Sequence, residues 1–224
     1  MLFNIDKCKT LHIGRGRNLN ELYNMEGRPL EAVHEECDSG IMITKDLNCS
    51  KQCLNAAKAA NKILGMIKRT FTCKSEEIIL QLYKSLVRPR LEYCIQAWCP
   101  HLRKDIDLLE KVQRRATWLI YSLHDFPYYD RRKRLKLTTL VTRRVRGDLI
   151  EVFRIIKGFE EVDSNIFFKI VSSTNLRGHS LKLYKHNLRL DTRKYFFSQS
   201  LIDMWNKLDT DVIACSTVST LRNI

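Results

Sequence analysis

The side chains best suited to chemistry in this chain are cations. Lys111, Arg114 and Arg115 recur at helical spacing, Arg131, Arg132, Lys133 and Arg134 are consecutive, and Arg143 and Arg144 follow. Four adjacent cations cannot all face away from one another. They need solvent or a polyanion, and the phosphates of a nucleic-acid backbone are the natural match. Between Arg103 and Lys157 there are 15 Lys or Arg against 7 Asp or Glu, an excess of 8 out of a whole-chain net charge of +14. More than half of the excess therefore lies in a quarter of the length, which argues for a binding face over general solubility. The run Arg131–Arg134 also fits a nuclear import signal or a merely soluble surface.

Other chemistry is thin. Metal-dependent polymerisation needs carboxylates that hold two divalent ions a few Å apart. The chain has no Asp-Asp pair, and its acidic doublets are Glu35-Glu36, Glu76-Glu77 and Glu160-Glu161. No P-loop, G-x-S-x-G or H-E-x-x-H string occurs. Six His without an evident Ser or Cys partner give no triad. No catalytic residue, cofactor or enzymatic activity is expected. Eight Cys include Cys49 and Cys53, four apart, and a cluster of Cys94, Cys99 and His101. Neither has the paired C-x-x-C spacing of a zinc motif, so no metal site is expected. The opening MLFNIDKCK lacks the apolar core of a signal peptide, and no run of about 18 apolar residues occurs. The expectation is a nuclear or cytoplasmic protein, not secreted and not in a membrane, with reduced thiols.

The elements that must position the cations are mostly helical. Residues 50–71 place Cys53, Ala57, Ala60, Leu64, Ile67 and Phe71 at spacings of three and four, with Ser50 as the expected N-cap. Residues 75–121 predict an α-hairpin. Its first helix carries Ile79, Leu82, Leu86, Leu91, Ile95 and Trp98, bends at Pro89 and stops at Pro100. Its second carries Ile106, Leu109, Val112, Ala116, Leu119 and Ile120, with Lys111, Arg114 and Arg115 off the stripe. A short helix follows Pro127. Thr138 or Thr139 caps another, which runs to Lys157 and is stopped by Gly158. Residues 181–184 alternate as in a strand or extended arm, and Arg177-Gly178-His179 reads as a turn with an Arg suited to phosphate. A last helix is expected over 191–208, with Trp205 in the core. Only residues 1–48 suggest strands. These comprise 10–13 closed by Gly14 and RGRN, a hairpin of 23–25 with 30–33, and 40–43. So few strands bury little surface alone.

The string LYKSLVRPRLEYCIQAWCP followed by LLEKVQRRAT resembles the region after the polymerase core in LINE-type (jockey-like, non-LTR) retrotransposon reverse transcriptases. The resemblance extends from FNIDKCKTLHIGRG to RKYFFSQSLIDMWNKL. It implies the end of a palm subdomain over 1–48, a helical thumb-like domain over 49–122 and a basic C-terminal helical segment over 123–224. CDSGIMI is similar to the primer-grip turn, with Ser39 where relatives carry Leu, beside Gly40. A plain β turn with Gly40 at positive φ is the alternative reading. Lys136 stands where relatives carry Gly, and Val141 where they carry Glu.

The expected fold is thus mainly α, a thumb-like helical bundle with a small N-terminal β-hairpin left from a palm. The expected function is that of a truncated reverse transcriptase which binds template–primer nucleic acid (RNA, DNA or a hybrid) through a basic helical face, without polymerising. A polymerase core is a second expected partner. A nucleic-acid-binding module adopted by a host, or a gene fragment without function, are the rival readings.

Overall fold

A computed structural model describes residues 4–14, 21–171, 178–215 and 217–218. The RGRN turn and Arg177 lie outside the described residues. So does most of the C-terminal ACSTVSTLRNI string. The described chain is mostly helical. No helix among the described residues is long and apolar enough to cross a membrane.

Three two-stranded pieces come first. β1 (Lys9–Leu11) pairs in parallel with β4 (Glu31–Val33), and β2 (Asn24–Met25) pairs antiparallel with β3 (Arg28–Pro29). The expected hairpin is therefore shorter than its sequence suggested. Its turn is Glu26-Gly27, and residues 31–33 leave it for β1. β5 (Glu35–Asp38) and β6 (Ile41–Thr44) form a second hairpin around Ser39-Gly40. Both turn residues have positive φ, 49° and 80°, as a two-residue type I′ turn requires. This hairpin docks on the helices. Met42 N–H donates to Gln52 Oε1 at 3.0 Å, Tyr93 O–H to the Ser39 carbonyl at 3.2 Å, and Ile41 enters the helical core.

α1 (Ser50–Thr70) buries Cys53, Ala56, Ala57, Ala60, Leu64 and Ile67. The small side chains let it lie close against α5 (Arg103–Trp118), which turns Leu109, Val112 and Ala116 inward. Ser50 is not the cap. Cys49 holds that position, Asn48 Oδ1 accepts from Ser50 N–H at 2.9 Å, and the Ser50 hydroxyl is committed to α5.

The first arm of the α-hairpin is α2 (Glu76–Leu82), a π-helical turn (Tyr83–Val87) and α3 (Arg88–Glu92). Pro89 lacks an N–H and would press on the carbonyl of Ser85. The turn widens ahead of it, with Arg88 N–H reaching the carbonyl of Tyr83, so the helix passes the proline without ending. It stops before Pro100, however. Cys94 takes a left-handed conformation at φ 48° and breaks α3 from the single turn α4 (Ile95–Trp98).

α6 (Tyr128–Arg134) and α7 (Leu140–Ile156) follow, the latter capped by Thr139, whose Oγ1 accepts from Thr142 N–H at 3.0 Å. Gly158 closes α7 at φ 73°. α8 (Ser164–Phe167) comes next. The expected helix over 191–208 is instead three single turns, α9 (Asp191–Lys194), α10 (Phe197–Ser200) and α11 (Ile202–Trp205). Phe196 in extended geometry breaks the first from the second, while Trp205 is wholly buried and donates from Nε1 to the Leu181 carbonyl at 2.7 Å. α12 (Thr210–Ala214) is last. Leu183 makes one antiparallel bridge to Ile170.

Buried side chains gather in two clusters, one from Ile41 to Leu140 and one from Val152 to Ile213. The change between them falls along α7. It does not fall at 122–123, because Leu123, Leu135 and Leu137 pack with the first cluster.

Candidate nucleic-acid interface

The site is built around Tyr128, the first residue of α6. Pro127 precedes it in extended geometry, and Leu135 and Leu137 anchor the far end of α6 in the core. Facing Tyr128 on α5 is Gln113, fully buried and fully used. Tyr83 O–H donates to its Oε1 at 2.7 Å, and its Nε2 donates to Tyr128 Oη at 2.9 Å and to the Thr138 carbonyl at 3.0 Å. The Tyr128 O–H itself donates to Glu110 Oε1. Glu110 Oε2 accepts from Leu140 N–H at 2.9 Å, tying this network to the start of α7. Burial and the bond to Glu110 push the Tyr128 hydroxyl above its ordinary range, and burial does the same to Tyr83, so both stay protonated donors.

Three guanidinium groups converge on the Tyr128 ring. Arg114 lies 5.0 Å from its centroid, Arg132 5.8 Å and Arg131 5.9 Å. Arg132 also lies 5.7 Å from the ring of the exposed Tyr129. Cation–π contact holds each planar head in place while leaving N–H edges for other partners. Lys111 and Lys133 are exposed. Among the described residues, none of Lys111, Arg114, Arg132 and Lys133 enters an ion pair. This leaves a concentrated positive surface that no ion pair among the described residues ties up.

The remaining cations expected in that face are buried or already bonded within the fold, with Arg115 and Arg134 still exposed. Arg131 is buried at 6% exposure beneath Tyr128, with Nε lacking a partner. Arg134 pairs with Glu76 at 2.9 Å and Arg115 donates to Asn61 Oδ1 at 2.9 Å, so both join helices. Arg143 grips Glu92 with two bonds, of 2.6 and 3.1 Å. Arg144 is buried at 4% exposure, its Nε and Nη2 without partners. These five are buried or bonded within the fold, unlike Lys111, Arg114, Arg132 and Lys133. The helical period tells which side a cation leaves from, but not whether a neighbouring element covers that side or puts a carboxylate or amide there.

The Ser39-Gly40 turn is exposed, with Ser39 Oγ on Asp38 Oδ1 at 3.1 Å. It lies on the hairpin that docks against α1 and Tyr93, on a different part of the chain from the Tyr128 cluster. The acidic doublet of β5 is engaged in ion pairs, Glu35 with Lys51 and Glu36 with Lys9. Sequence reasoning missed Tyr128, Gln113 and Glu110 as the frame of the basic site. Tyr128-Tyr129 just before a run of cations is the one local signal that pointed to it.

Comparison with protein-family models, with curated proteins and with solved structures gives no match for this chain.

Proposed function

We propose that this chain binds nucleic acid without regard to sequence through the α5–α6 face, and that it carries out no polymerisation. The observation that supports this best is that Lys111, Arg114, Arg132 and Lys133 enter no ion pair among the described residues, with Arg114 and Arg132 held over the Tyr128 ring. Like charges so close repel one another, and an anion between them relieves that cost. Guanidinium forks suit phosphate oxygens, and Lys111 and Lys133 widen the positive surface along the two helices. Contacts of this kind position a duplex and do not read its bases. The resemblance of LYKSLVRPRLEYCIQAWCP and LLEKVQRRAT to LINE-type reverse transcriptases supports the finer reading, that the chain derives from a thumb region and the segment after it. The run Arg131–Arg134 suits a linear import signal poorly, because it is wound into α6 with Arg131 buried and Arg134 paired.

Filter binding of the purified chain to mixed-sequence RNA–DNA hybrid, duplex DNA and duplex RNA tests the proposal. The expected result is similar affinity for unrelated sequences of one duplex type and a steep loss of affinity with salt. Absence of binding at low salt, or dependence on one particular sequence, refutes it.

A further inference from the structure

Away from the basic face, the starts of α1 and α5 meet. Ser50 and Arg103 open the two helices, and the Ser50 hydroxyl donates to Asp105 Oδ2 at 2.6 Å. Cys49 caps α1 and Cys53 stands one turn further on, so their thiols project from the same side of the helix. Asp105 comes from the first turn of α5. The Cys49 and Cys53 sulfurs and an Asp105 carboxylate oxygen all lie within 4.8 Å of one another. Cys53 is wholly buried and Asp105 is 4% exposed. Among the described residues Asp105 enters no ion pair. A buried carboxylate without a cation is costly, and this one sits beside two soft sulfur donors.

We propose that Cys49, Cys53 and Asp105 hold a zinc ion that clamps the start of α1 to the start of α5. Zinc takes thiolate and carboxylate ligands at about 2.3 and 2.0–2.2 Å in tetrahedral geometry, which sets ligand atoms roughly 3.5–3.8 Å apart. From separations of at most 4.8 Å, side-chain rotation of about an ångström closes the shell. Two helix N-termini aim their positive ends at the cluster and favour its anionic ligands. Charge also balances around the site. Two thiolates, one carboxylate and a divalent ion leave a single negative charge. Arg144, buried with unpartnered Nε and Nη2, lines a cavity beside Cys99 and is the nearby cation that offsets it.

Cys49 also lines a cavity of about 360 Å³, together with Cys99 and His101. The Cys99 carbonyl is already 3.8 Å from the Cys49 sulfur. The cavity gives the ion a route in and provides the Cys99 thiol, the His101 imidazole or a water as fourth ligand. The ion belongs to the soft end of the divalent series, because two of its three protein ligands are thiolates. Cys49 and Cys53 alone, four apart, are one residue wider than the paired C-x-x-C spacing, and it is the packing of α5 on α1 that adds the third ligand.

The test uses the full chain purified under reducing conditions, its metal content measured by elemental analysis, then stripped with a chelator and titrated with Co²⁺ alone. The expected result is one equivalent of zinc as purified. Cobalt should give visible bands of a tetrahedral site and a near-ultraviolet sulfur-to-cobalt band scaled to two thiolates, or three if Cys99 joins. Cys49→Ser and Asp105→Asn should each weaken zinc at least about tenfold in competition with a chelator, as loss of a ligand does. Cys73→Ser, at an exposed thiol, should not. Asp105→Asn keeps the side chain's size and an acceptor for Ser50, and Cys49 is only part-buried, so both variants are expected to fold. A folded parent with no sulfur-to-cobalt band at saturation, a band undiminished in Cys49→Ser, or a Cys49–Cys53 disulfide in freshly purified protein each overturns the site.

Discussion

Changing Lys111, Arg114, Arg132 and Lys133 together to Gln removes the cations of the α5–α6 face that enter no ion pair among the described residues, and leaves Arg131, Arg134, Arg143 and Arg144 in place. Each phosphate neutralised contributes about 0.9 to the slope of log affinity against log salt on a duplex. Four such contacts contribute about 3.6, so between 50 and 200 mM salt they account for an affinity loss on the order of 10²-fold. Filter binding of a mixed-sequence RNA–DNA hybrid at several salt concentrations measures both quantities. The fourfold variant should bind all sequences more weakly and show a slope flatter by about 3 to 4. The contrasting variant, Arg134→Gln with Arg143→Gln, removes two cations of the same basic segment that are held by Glu76 and Glu92. It should lose stability while keeping most of the slope. Equal slopes for the parent and the fourfold variant would refute the interface. So would a larger loss of slope in the contrasting variant, because the free and the engaged cations would then have been wrongly distinguished.

Purified protein given a primed RNA template, all nucleotides and Mg²⁺ or Mn²⁺ should extend no primer; extension abolished by changing one of its own carboxylates would contradict the reading. Lys136 sits in the left-handed region at φ 52°, so Lys136→Gly should raise stability by about 1 kcal/mol in denaturant unfolding, with nucleic-acid affinity little changed. Burial pushes Asp148 up to about 7, more than the Arg144 charge pulls it down. The folded state then keeps a proton that the unfolded chain releases near pH 4, so stability should fall as pH rises from about 4 to 7, by up to about 4 kcal/mol. Asp148→Asn should flatten that dependence in urea titrations at pH 5 and 7.5; an unchanged pH profile would show that Asp148 is not the group responsible.

What the sequence determined by itself is what rests on local spacing. The periods of three and four over 50–71 and 103–118 give α1 and α5 and their inward faces, since a helical residue's side is set by its neighbours on the same helix. Thr139 and Gly158 bound α7 because caps and left-handed positions are local backbone requirements. The turn with Gly40 at positive φ and the core position of Trp205 were legible too. The π-helical turn before Pro89 and the break at Cys94 are not legible in this way, because the helix accommodates its proline according to what the packed Tyr83 and Leu91 allow.

Only the tertiary structure decided which cations are free. Arg131 and Arg132 are neighbours in sequence, yet one is buried beneath Tyr128 and the other lies over two rings at the surface. The difference comes from which side of α6 packs on α5, where Gln113 and Glu110 hold the Tyr128 hydroxyl, and the run of four cations does not mark that side. Asp105 is an ordinary acidic residue of a helix start until α5 packs on α1 and brings it to Cys49 and Cys53. Contacts between residues some fifty positions apart depend on how two helix faces interlock, and the spacing along either helix carries no record of that.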